Sequence, residues 1–102
     1  MIQIQDIQQL NNGLLPEDGQ LFIGVIGSSD PENNQIVVSM DYANSDTRSG
    51  QFNLDFNGRP LNPATGEPTQ LWVDETTYSG YSLQIVDANN VELFASPWQI
   101  EF

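Results

Sequence analysis

Residues 81–94 read YSLQIVDANNVELF, and the centre of that stretch admits two structures with different consequences. A calcium loop needs an acidic first ligand, oxygen ligands two and four positions later, and a glycine for the sharp bend. Asp87 and Asn89 fit the first two positions, but Val91 stands at the third and no glycine follows. The flanks point elsewhere. Tyr81, Leu83 and Ile85 lead in with a period of two, and Val91 and Leu93 lead out in the same way. Asn and Asp tolerate left-handed backbone and bond their own main chain, so residues 87–90 are expected to form a hairpin turn. The similar DPENN at residues 30–34 is read as a turn on the same grounds.

The same alternation extends along the rest of the chain. Residues 20–26, QLFIGVI, are apolar on both faces, with Leu21, Ile23 and Val25 opposed to Phe22 and Ile26, as in a central strand covered on both sides. QIVVSMDY places Ile36, Val38, Met40 and Tyr42 on one face, and QFNLDF does so with Phe52, Leu54 and Phe56. Such segments are half-buried strands. QLWVD, YSLQIV, VELFA and PWQIEF continue the series, and Pro97 stands at a strand start, where proline is tolerated. Trp98, Ile100 and Phe102 share a face of that last strand. Asp18-Gly19, Asp30-Pro31, Ser49-Gly50, Asn57-Gly58 and Ser79-Gly80 supply positive-φ or pre-set backbone at the breaks. The longest break, residues 57–69, holds three prolines and two glycines and reads as an ordered surface loop. Residues 1–17 are expected to form an extended arm or short strand, and residues 18–102 a single all-β domain, an antiparallel sandwich of short strands.

Charge and composition exclude several classes. The chain has 102 residues, 14 acids, 2 bases and no histidine, for a net charge of -12. Arg48 and Arg59 cannot neutralise a phosphate backbone, so nucleic acid is not an expected partner, and anionic membranes are disfavoured alike. No run approaches the ~20 apolar residues of a membrane span. Met1 is followed by IQIQDIQQLNNG, which lacks the cationic and apolar regions of a secretory signal. The absence of cysteine and histidine removes serine and cysteine triads and most zinc sites. Asp41, Asp46, Asp55, Asp74, Glu75 and Glu92 could in principle supply a hydrolytic carboxylate pair, but nothing in their spacing selects one. Gly24 and Gly27 lack the lysine and helix of a phosphate loop. No enzyme activity, cofactor or metal is expected. Trp72, Tyr78, Tyr81 and Trp98 suit core or interface packing, and Trp72 and Trp98 alternatively suit a stacking platform for sugars.

The order of these segments resembles the head-binding domain of short-tailed phage tailspikes and related tail-fibre anchors. The resemblance begins with Gly19, Gln20, Leu21, Phe22, Ile23 and Gly24, continues through Asp30, Pro31, Asn33 and Asn34, and includes the QFNLDFNGRP strand and glycine turn at Gly58. It closes on Tyr81, Ser82, Leu83, Ile85, Asp87 and Asn89, with Asn90 where that family has glycine, and it covers residues 18–95. The stretch at residues 63–68 is longer than the family pattern. The resemblance implies a homotrimeric, non-enzymatic β-sandwich of the virion, fixing a spike or fibre to tail machinery (an adaptor, a hub or a portal-proximal protein). Receptor binding or polysaccharide cleavage would belong to a larger region, so this chain is either an anchor fragment or a short tail protein. The alternative function is a small carbohydrate-binding sandwich.

Overall fold

The computed structural model describes residues 1–4, 18–92 and 97–102. Among these, the strands are β1 (Ile2–Gln3), β2 (Gln20–Gly24), β3 (Val37–Ser39), β4 (Thr47–Ser49), β5 (Gln51–Asn53), β6 (Trp72–Val73), β7 (Gly80–Val86) and β8 (Trp98–Glu101). The only helical element among the described residues is a 3-10 turn, Pro31–Asn33. Two four-stranded sheets result, in the orders β1-β6-β3-β4 and β5-β2-β7-β8, and every pairing within them is antiparallel. The all-β reading of the sequence is thus the architecture found.

The sheets face each other across one apolar core. Leu21, Ile23, Phe52, Leu83 and Ile85 of the second sheet join Ile36, Val38, Leu71 and Val73 from the first sheet and its flanks, all nearly fully buried. Burial of each such side chain contributes about 1.5–3 kcal/mol. β2 and β7 form the centre of the second sheet, in register from Gln20↔Val86 to Gly24↔Ser82. Phe22 points opposite to Leu21 and Ile23 and is 1% exposed, so β2 is covered on both faces as its apolar run predicts.

A corner joins the sheets. Gly50 separates β4 from β5, so one extended run leaves the first sheet and enters the second there. The Ile23 amide donates to the Gly50 carbonyl at 2.7 Å, the Gly50 amide to Ile36 at 2.9 Å, and the Ile36 amide to Ile23 at 3.1 Å. Strands commonly change sheets through such a bend. A side chain at Gly50 would run into the Ile23 carbonyl, and one at Gly80 into the Ile100 carbonyl. These two glycines, expected from the sequence as positive-φ turn residues, instead permit close approach of backbones. At the other breaks Asp18 and Gly58 do adopt positive φ, 54° and 75°.

Three expectations of burial are corrected. Phe52 and Leu54 are 2% exposed, but Phe56 is 69% exposed, because β5 ends at Asn53 and the chain turns at Asp55. Tyr42 is likewise 69% exposed although Ile36, Val38 and Met40 are buried, since β3 ends at Ser39 before the turn at Asp41. Val25, beyond the end of β2, is 47% exposed.

At the amino end, Ile2 pairs with Val73, and the buried Ile4 donates its amide to Leu71 at 2.8 Å, which is the short strand among the two forms expected. The remainder of the arm, residues 5–17, lies outside the described residues, as does most of the expected VELFA strand, of which Glu92 bridges to Val86. The long loop is ordered by bridges Leu54↔Pro60 and Leu61↔Pro68, as its turn-rich composition suggests.

Candidate functional site

The residues that carry the family resemblance separate into local structural roles. Gly24, Pro31 and Ser82 meet at one point: a Cβ on Gly24 would lie 2.6 Å from Pro31 Cα and 2.9 Å from Ser82 Oγ. Pro31 and Ser82 are both buried there, and the Ser82 hydroxyl donates to the Val25 carbonyl at 2.9 Å. Asp30 opens the 3-10 turn by accepting from Asn33 Nδ2 at 2.7 Å. Gly19 accepts from the Leu54 amide at 2.8 Å, and Phe22 is buried on the outer face of its sheet. Gly58 closes a turn onto the Asp55 carbonyl. Tyr81 is buried with its ring 5.8 Å from that of Phe102.

Asp87 and Asn89 form the hairpin turn expected. Asp87 Oδ1 accepts from the amides of Asn89 and Val91, both at 2.9 Å, and Asn90 takes φ 61°. That oxygen is spent on its own backbone. The device recurs: Asp55 Oδ1 accepts from the Asn57 and Arg59 amides at 2.8 Å, Asp74 Oδ1 from Thr76 at 3.0 Å, and Asn62 Oδ1 from Ala64 at 2.8 Å. Asp41 goes furthest, accepting from both hydroxyls of Ser39 and Ser45 and from the Ser45 and Asp46 amides.

These bonds favour the ionised carboxylate. The Ser45 hydroxyl, then Ser39 and the Ser45 amide, hold Asp41 far below the usual carboxylate range. The Arg59 amide lowers Asp55, the Thr76 hydroxyl lowers Asp74, and the amino-terminal ammonium, 2.7 Å away, lowers Glu75. A carboxyl held ionised is a poor proton donor, so this set lacks the raised-pKa member of a hydrolytic pair.

The two tryptophans do not share a sheet. Trp72 is in β6, half-buried on the face opposite Val73, paired with Gln3 and Ser39. Trp98 begins β8 in the other sheet and packs against the core together with Ile100 and Tyr78.

One feature escaped the sequence reading. A cleft of about 340 Å³ lies beside β4 and β5, lined by Arg48, Gln51, Phe52 and Asn53 together with Gln35, Leu61 and Pro63. Its sequence signal is the run TRSGQFN, polar but for Phe52, which is the pattern of an edge rather than a central strand. No protein-family model matches the chain, and no curated protein matches it significantly.

Proposed function

We propose that the chain is a non-enzymatic docking domain of a phage virion, a homotrimeric anchor that joins a tailspike or tail fibre to the tail machinery. The observation that carries this reading is the order of segments from Gly19 to Asn89, laid out on an all-β fold of two antiparallel sheets. Two further features support it. The carboxylates with lowered pKa are tied up in turns and one terminal ion pair, and so are employed structurally. Val25, Val37, Tyr42, Phe56 and Val91 leave 47% or more of their surface exposed, apolar area that a threefold assembly can cover.

The test is a fusion of this domain to a fluorescent reporter, mixed with spike-less particles of the parent phage. The expected result is a trimer in sedimentation and stoichiometric labelling at the tail. A monomer that leaves the particles bare would overturn the reading. A carbohydrate-binding role would rest on Trp72 and Trp98, both half-buried, and glycan binding abolished by Trp72→Ala or Trp98→Ala would favour it.

A further inference from the structure

We propose that the edge formed by residues 47–53 docks an extended, lysine- or arginine-bearing segment of a partner protein, which adds to it as a further β-strand. The inference deepens the docking reading above and rests on it for the existence of a protein partner.

The geometry follows from the direction of backbone groups. In an antiparallel strand, successive residues turn their N–H and C=O to alternate sides. Asp46 accepts from Met40 at 2.9 Å and Gly50 donates to Ile36 at 2.9 Å, so the even positions of β4 face β3. Gly50 accepts from Ile23 at 2.7 Å and Leu54 donates to Gly19 at 2.8 Å, so the even positions of β5 face β2. Residues 47, 49, 51 and 53 therefore turn their main-chain groups away from both sheets. Among the described residues, the Leu61 amide meets this edge at the Asn53 carbonyl (2.9 Å) and the Arg48 guanidinium at the Thr47 carbonyl (3.1 Å), and the cleft opens alongside the positions between them. Because the run continues through the Gly50 corner, it is the edge of both sheets at once.

Among the described residues, the edge carries little of the usual protection beyond the loop that meets it at Asn53. Proteins blunt exposed strands with proline, lysine, bulges or covering loops. The outer strand β8, by contrast, follows Pro97, and its Gln99 is held by Gly27 and Ser28. Residues 47–53 contain neither proline nor lysine, and Arg48 is matched by Asp46 at 3.2 Å. Strand addition draws affinity from main-chain bonds and selectivity from pockets for alternate side chains. Here the Gln51 and Asn53 side-chain oxygens accept from Gln35 and Gln20 at 3.3 Å and their NH2 groups are left to donate, while Leu61 and Pro63 offer an apolar wall. Charge selects the occupant. A second copy would bring the same net charge of -12 to a polar edge, whereas a basic segment is drawn in by the field of the whole molecule.

The test titrates the isotope-labelled chain with a capped peptide of alternating lysine and valine, followed by amide resonances. The expected result is saturable shifts at residues 47–53 and Leu61, weakened by salt and lost in Ser49→Pro and Gln51→Lys. The Ser49 amide points outward, so proline there removes no ladder bond; Gln51→Lys leaves the backbone unaltered and serves if the proline variant misfolds. Shifts confined to β1 or β8, equal binding of a glutamate-valine peptide, or indifference to both substitutions would overturn the proposal. The reporter fusion separates the two readings. If the parent fusion labels particles and both variants label them equally, the anchor stands and the edge falls. If the parent fusion leaves particles bare, the anchor falls and the titration alone decides the edge.

Discussion

At Asp41 one carboxylate accepts from two hydroxyls and two amides, and its lowered pKa makes its contribution to stability depend on pH. The folded pKa lies below the ordinary value of 3.8, so the contribution is complete above that value and is lost as pH falls through the folded pKa. Asp41→Asn should therefore lower the melting temperature at pH 7, and the gap to the parent should narrow as both are melted below about pH 4. A gap that stays constant across that range would refute the assignment. Two phenylalanines test burial in the same way. Phe52→Ala should cost roughly 3–5 kcal/mol in denaturant unfolding, as a core truncation does. Phe56→Ala should stay within about 0.5 kcal/mol, the usual range for a surface site. The alternation of Phe52, Leu54 and Phe56 does not distinguish these two residues, because period-two reasoning assumes that the strand continues. What ends it is Asp55, whose carboxylate draws in the Asn57 and Arg59 amides. Tyr42 was misread for the same reason, one residue after Asp41.

Elements were legible where side chains alone decide them. β2, β7 and the Asp87 turn follow directly from QLFIG, GYSLQIV and DANN, since apolar burial and asparagine's tolerance of positive φ act locally. The pairing of strands into sheets was not legible, because partners such as Ile2 and Val73 are distant in sequence and nothing in either names the other. Nor did the sequence mark which glycines serve close approach. Gly24→Ala should force Pro31 away from β2 and cost at least about 1–3 kcal/mol, the range for overpacking. A smaller loss would mean that the 3-10 turn yields easily. At the hairpin, Asn90→Gly should leave stability unchanged or higher, whereas Asn90→Val should lower it by about 1–2 kcal/mol, since a branched side chain resists the left-handed region.

At the scale of the whole molecule, charge and shape combine. The net charge is -12, and the described side-chain cations form just two ion pairs, Arg48–Asp46 and Arg59–Asp55, both on exposed guanidiniums. At 0.01 M salt the Debye length is about 30 Å, comparable to the molecular extents of 34 × 31 × 24 Å, so the acids repel across the whole body. Raising salt to about 0.15 M shortens that length to about 8 Å and should raise the melting temperature. A fall would show that the ion pairs outweigh the repulsion. The acidity is plain from composition alone; its use in closing turns was legible at Asp87 but not at Asp41, Asp55 and Asp74, whose amide partners only the fold reveals. The Gly50 corner has a consequence for how the molecule opens. The amides of Ile23, Ile36 and Gly50 each bind a carbonyl within the same triangle, and that triangle belongs to both sheets. Neither sheet can fray alone without breaking it. Deuterium should therefore reach these three amides at one common, slowest rate, set by global unfolding rather than by local breathing.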